Sequence, residues 1–205
     1  GVNAKNLVIE GWKAGISLAK EKGAAPIFSE VFVDTNGNSA SCNKLFVQSP
    51  HIQRVLAEAP ELEEEFLIYG SRFTHHSSIA PTGTLALSVG NNASNGIEPS
   101  FSHSYIRNVI KEGKKTKQTF EVASYELLLY RHLVNPDAHP DIHGSLPEYF
   151  KGADEIHPKE HVDIQAAAQY WIDSSISKTI NVPTDMPYED FKDIYTYAID
   201  KGLKG

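Results

Sequence analysis

Apolar residues recur at helical spacing near the start of the chain. Leu7, Val8, Trp12, Ile16 and Ala19, widened by Ala14 and Leu18, fall on one face of a helix expected over residues 6–22, with Gly23 at its stop. Residues 26–33 read as a short extended run. It ends at Asp34-Thr35-Asn36-Gly37-Asn38, a strong turn signal. Ser49 as cap and Pro50 at the first position open a helix reaching Ala59, with Ile52, Val55 and Leu56 on its apolar side. Pro60 opens another over residues 61–69, whose early carboxylates suit the positive end of the helix; Gly70 ends it. The run Glu63-Glu64-Glu65 is a solvated face.

Residues 71–80 enter a central stretch, 77–88, that opens as an apolar, hydroxyl-rich run with strand character. They lead through Pro81-Thr82-Gly83-Thr84 into a helix expected over residues 85–89. A long loop of small, polar residues follows, 90–99. Residues 105–110 are a short apolar–polar run and 111–117 a basic surface segment. A helix is expected over 120–133, with Val122, Tyr125, Leu128, Leu129 and His132 near one stripe. Residues 135–147 are loop. Pro158, with Glu160 placed to reach back to the cap, opens a helix running to about Asp173. In the run 175–183, Ile176, Ile180 and Val182 face one way with Lys178 between them, while Ser177, Thr179 and Asn181 face the other. The last helix, 187–201, starts at Pro187, carries Phe191, Ile194, Tyr195 and Ala198 on its face, and stops at Gly202. Helices alternating with short strands predict an α/β fold with parallel strands, in too few strands to close on itself. The chain reads as a single segment, 1–205.

The stretch with the clearest chemistry is residues 77–88. A strand, a tight glycine turn and a helix start make an anion seat: the first N–H groups of a helix have no partner inside it and point outward at its positive end. Gly83 lets a ligand approach the backbone, and Thr82 and Thr84 add hydroxyls. A Thr-capped helix after a strand has the same pattern without a ligand. The Ser/Thr/Asn face of 175–183 lines a polar pocket or is simply half exposed. His75 and His76, adjacent on a strand, would point to opposite faces and cannot chelate one ion together. The pattern His139…His143 has metal-like spacing, but Pro140 and Gly144 oppose a regular helix there, so no metal site is assigned.

Composition narrows these readings. Hydrophobic content of 40% and charged content of 22% over 205 residues suit a globular protein, and the net charge of −7 argues against a nucleic-acid polymer as partner. The single cysteine, Cys42, excludes an internal disulfide and a Cys-rich zinc site and suits a reducing cytoplasm. No apolar run reaches the roughly 20 residues that span a bilayer. Gly1 reads as a fragment boundary.

Three stretches in order resemble a known family: residues 78–88 (Ser-Ile-Ala-Pro-Thr-Gly-Thr-Leu-Ala-Leu-Ser) followed by Asn95-Gly96-Ile97-Glu98-Pro99; His161-Val162-Asp163-Ile164-Gln165-Ala166-Ala167-Ala168; and residues 176–183 (Ile-Ser-Lys-Thr-Ile-Asn-Val-Pro) with Gly202-Leu203-Lys204-Gly205. Together they resemble the C-terminal part of the catalytic subunit of adenosylcobalamin-dependent (class II) ribonucleotide reductase. The resemblance implies a ten-stranded α/β barrel, of which this would be the helix-rich C-terminal portion, with residues 114–154 as a subgroup insert. It implies that Pro81, Thr82, Gly83, Thr84 and Leu85 seat the phosphates of a ribonucleotide, and it makes Ser78, Glu98, Ser177, Thr179 and Asn181 pocket-lining candidates. The family converts ribonucleotides to deoxyribonucleotides through a cysteine thiyl radical generated by adenosylcobalamin. The family's Asn-Pro-Cys-Gly-Glu finger loop, its redox cysteine pair and its Cys-x-x-Cys tail do not occur here, and Cys42 matches none of them. No catalytic residue is therefore assigned in this segment, and the isolated chain is expected to be inactive. Its partners would be the ribonucleotide and the rest of the reductase chain, with any homodimer formed through the latter. A stand-alone phosphate-binding module, and a structural piece that needs the remaining barrel to fold, are the alternatives.

Overall fold

A computed structural model describes residues 1–88, 96–110 and 116–205. The expected loop at 90–95, the end of its preceding helix at Val89 and the basic residues 111–115 lie outside the described residues. The chain divides into two compact units.

The first unit comprises Gly1–Ile79, Ile164–Ile176 and Ile199–Gly205. Helix α1 (Val2–Lys22) buries Val8, Trp12, Ile16 and Ala19, while Leu7 stays exposed. The predicted stripe is thus right but narrower. After a 3₁₀ turn at Pro26–Ser29, strands β1 (Val31–Val33) and β2 (Ser39–Ser41) form an antiparallel hairpin. Asp34 makes its turn: the carboxylate accepts from the amides of Asn36 and Asn38 at 2.9 and 2.8 Å. Helix α2 (Cys42–Val47), which no periodicity announces, follows directly. Asn43 on it donates to the carbonyls of Phe66 and Leu67. Helices α3 (Pro50–Glu58) and α4 (Leu62–Tyr69) agree closely with expectation, and the hydroxyl of Ser49 accepts from the Ile52 amide.

The core of this unit is aromatic. Trp12 meets Phe66 edge-on at 5.3 Å, and Phe28 meets Phe46 and Phe66 at 5.3 and 5.5 Å. Burying each such ring contributes about 1.5–3 kcal/mol. Against Trp12 lies His76, ring centroids 4.0 Å apart, with its Nε2 2.8 Å from the Ser71 hydroxyl. A Cβ on Gly15 would fall 2.4 Å from His76 Nε2 and 2.5 Å from Ser71 Oγ. Only glycine lets α1 approach this pair.

The sequence predicts strand character at 77–80 and 175–183. Both are extended, but pair only through one parallel bridge, Ile79 with Ile176. What fixes 76–77 is a side chain rather than a ladder. Asp173, 9% exposed, accepts from the backbone amides of His76 (2.6 Å) and Ser77 (2.8 Å) and from the Ser77 hydroxyl (3.0 Å). Burial would raise the pKa of Asp173, yet the nearby His76 side chain together with these donors outweighs it and holds the carboxylate well below its usual range. His76 Nδ1 lies 3.8 Å from the carboxylate, beyond hydrogen-bond length, so the backbone donors are the firm ones.

His51 on α3 also bears on stability. Burial is the main cause that pushes its pKa from 6.5 down to about 4; Asp173 opposes this, and Arg54, Lys204 and His76 add to it. The fold favours neutral His51, whereas the unfolded chain takes up a proton near 6.5. Its contribution is complete above that value and is lost as pH falls toward about 4. We expect the denaturation midpoint to fall more from pH 7 to pH 4.5 in the parent chain than in His51→Gln. Parallel losses in urea titrations at the two values would contradict this assignment.

The second unit comprises Ala80–Asp163 and Ser177–Ala198. It holds helix α5 (Gly83–Ser88), the antiparallel hairpin of β3 (Ser104–Ile110) and β4 (Lys117–Ala123), helix α6 (Tyr125–Leu133) and all but the last two residues of helix α8 (Tyr188–Asp200). Helix α7 (Pro158–Gln169) begins in this unit and ends in the first. As expected, Glu160 reaches back to the His157 amide, at 3.1 Å. The helix expected over 120–133 needs correction: its first residues are strand, with Phe120 opposite Arg107 and Val122 opposite Tyr105. Ser124 divides the two elements, its hydroxyl accepting from the Leu127 amide at 3.2 Å as the cap of α6. The parallel sheet is likewise corrected. The described residues form two antiparallel hairpins and one parallel bridge, and no closed barrel.

Candidate functional site

Helix α5 begins at Gly83, two residues before the expected start, and follows an extended segment that pairs only through the Ile79 bridge. Thr82 has φ 49°, a left-handed conformation that a β-branched residue rarely adopts. Its carbonyl accepts from the Ala86 amide at 2.9 Å, which makes Thr82 the residue before the helix. Gly83, Thr84 and Leu85 then occupy the first turn of α5, where amides have no carbonyl four residues back. Pro81, Thr82, Thr84 and Leu85 are exposed and Gly83 half-buried. The Thr82 hydroxyl is itself held, accepting from the Gly96 amide at 2.8 Å.

A second cluster in the same unit surrounds Lys178. Its ammonium donates to Glu98 Oε2 at 2.7 Å, to His161 Nδ1 at 2.8 Å and to the Thr179 carbonyl, and its side chain is 0% exposed. The other Glu98 oxygen accepts from the Thr179 amide. An ammonium has no lone pair, so His161 Nδ1 must be the acceptor. Its proton is then assigned to Nε2, which donates to the Ala153 carbonyl at 3.2 Å. Burial, the main cause, lowers the His161 pKa; the Ala153 contact opposes it and Lys178 reinforces it.

Of the pocket-lining candidates, Ser177 and Thr179 are exposed while Ile176 and Lys178 point inward, so the expected alternation holds there. Asn181 donates to Asp154 at 2.9 Å. Ser78 is exposed and belongs to the first unit. Thr82 and Glu98 are linked through the segment 96–98, whereas a cavity of about 860 Å3 in the second unit, lined by His103, His143, Phe150 and Lys151 among others, takes in none of the candidates. Sequence reasoning gave no role to Lys178 and His161. The available signal was a lysine on the apolar side of an alternating run.

Cys42 is 6% exposed, and burial, with Glu30 adding to it, pushes its thiol pKa up, opposite to the activation a reactive thiol needs. Among the described residues no cluster of three or more His, Cys, Asp or Glu side chains could hold a metal ion, and no helix is long and apolar enough to cross a membrane.

The chain belongs to a defined class. Residues 3–205 match the family model of the ribonucleotide reductase barrel domain, and the chain is a member of that family. Among curated proteins it is similar to the vitamin B12-dependent ribonucleoside-diphosphate reductase of Thermoplasma acidophilum, 35% identical over 138 residues, covering 63% of this chain and 18% of that protein. The enzyme of the same name from Mycobacterium tuberculosis (strain CDC 1551 / Oshkosh) is 29% identical over 138 residues, 63% of this chain and 20% of its own length. The vitamin B12-dependent ribonucleotide reductase of Streptomyces coelicolor is 27% identical over 151 residues, 66% and 16% respectively. The chain therefore spans 16% to 20% of the length of these relatives.

Proposed function

We propose that this chain supplies the seat for the substrate's phosphates in a cytoplasmic, cobalamin-dependent ribonucleotide reductase, an oxidoreductase that converts ribonucleotides to deoxyribonucleotides. Its partners are the ribonucleotide and the remainder of the reductase. The observation that carries this reading is the turn itself. Thr82 is held in a left-handed conformation so that Gly83, Thr84 and Leu85 present first-turn amides beside two exposed threonines. Those amides and hydroxyls donate to phosphate oxygens, and Pro81 shapes the entry.

No residue of this chain is assigned to the relatives' vitamin B12. In this reading the chain binds and orients substrate, and the radical and reducing groups are supplied by the remainder of the enzyme.

The test is amide hydrogen exchange on the full-length reductase. A ribonucleotide, or inorganic tripolyphosphate, should slow exchange at Gly83–Leu85. Unchanged rates at those amides under saturating nucleotide would count against the seat.

A further inference from the structure

We infer that Lys178 is a positioning residue for the phosphate seat, acting through Glu98 on Thr82. Lys178 can act in this way only if the 81–85 turn seats phosphate, as proposed above.

The link is short and each joint is a hydrogen bond. Lys178 Nζ has three protons and three acceptors: Glu98, His161 and the Thr179 carbonyl. His161 is in turn anchored by the Ala153 carbonyl, so the ammonium sits in a fixed cradle. Glu98 is held at both oxygens, by Lys178 and by the Thr179 amide. Only Ile97 separates Glu98 from Gly96, whose amide donates to Thr82 Oγ1 at 2.8 Å. Each residue of chain spans at most about 3.6 Å, so the anchored Glu98 keeps the Gly96 amide within two residues' reach.

The consequence at Thr82 is directional. With one lone pair of Oγ1 taken by the Gly96 amide, the hydroxyl proton is confined to the remaining directions, from which it can donate to a ligand oxygen. The same bond braces a threonine whose backbone is left-handed. A charged lysine with no exposed side-chain surface is costly to bury unless paired. Here its pairing partner lies two residues from the brace on the seat. Lys178 thus orders the turn before the ligand arrives, and the entropy of fixing it is not lost again on binding.

The experiment uses the full-length reductase with three variants: Lys178→Met, Glu98→Gln and Gly83→Val. Substrate KM and kcat are measured together with the inhibition constant of inorganic tripolyphosphate, which probes the seat without the nucleoside. Lys178→Met should raise KM and the tripolyphosphate constant about tenfold, with kcat falling by less than KM rises. Glu98→Gln keeps the side-chain shape and an acceptor for the Thr179 amide; it should move both constants the same way by about threefold. A residue that merely stabilised the fold would lower melting temperature and active fraction without changing the tripolyphosphate constant. If Gly83→Val raises both constants while Lys178→Met and Glu98→Gln leave them within about twofold, the inference is overturned and the seat stands. If Lys178→Met does not fold, Glu98→Gln decides alone by the same criterion. If Gly83→Val changes neither constant, the seat itself is refuted.

Discussion

Replacing Asp173 with alanine is expected to lower the stability of the chain by about 3–5 kcal/mol, enough to unfold a marginal domain. The carboxylate is almost fully buried and is the common acceptor for the His76 amide, the Ser77 amide and the Ser77 hydroxyl. Alanine would strand those donors, and each unsatisfied buried donor costs about 1–3 kcal/mol. The loss would spread, because His76 also stacks on Trp12 and meets Ser71 beneath Gly15. Asp173→Asn retains one acceptor oxygen but places an amide beside backbone donors, so an intermediate loss of about 1–3 kcal/mol is expected. Urea denaturation of the three proteins gives the comparison. An Asp173→Ala midpoint within error of the parent would show that these bonds are replaced by water without cost.

Gly83→Val in the full-length reductase should raise substrate KM by about tenfold or more, since each charge-assisted bond to phosphate is worth about 1.5–3 kcal/mol and 1.4 kcal/mol is a factor of ten. Gly83 opens α5, and two methyl groups at that point would stand where phosphate oxygens approach the amides of 83–85. Valine's lower suitability than other residues for a helix is worth well under about 1 kcal/mol, so the fold should survive. Gly83→Ala should fall between the two. Steady-state kinetics with the ribonucleotide decide the matter, and a valine variant with unaltered KM would be incompatible with the seat.

The parts of the fold that were legible in the sequence are those fixed by neighbours along the chain. Ser49 before Pro50, Asp34 in its turn and Glu160 reaching back to His157 each satisfy amides within a few residues, and each is found as expected. The hairpin strand β4 was mistaken for helix because Val122 fits both periods; its cross-strand partner Tyr105 is what decides. Helix α2 is too short to show a period and is anchored by Asn43 to carbonyls on and beside Phe66. Asp173 and Lys178 were not legible as structural centres. Their partners lie far along the chain, at 76–77 for one and at 98 and 161 for the other, and nothing beside them in sequence marks the meeting. The turn before α5 is local in sequence, although its helix starts two residues earlier than expected, whereas the Lys178 cluster joins distant segments.

The left-handed backbone of Thr82 carries an evolutionary consequence. Holding a β-branched residue there costs on the order of 1–3 kcal/mol, which glycine or asparagine would largely relieve. A library sorted for heat resistance alone would accordingly drift toward those residues at this position and discard the hydroxyl. Under the proposed phosphate seat, robustness and ligand capture pull in opposite directions at Thr82, and thermostabilising substitutions in this chain should leave it in place.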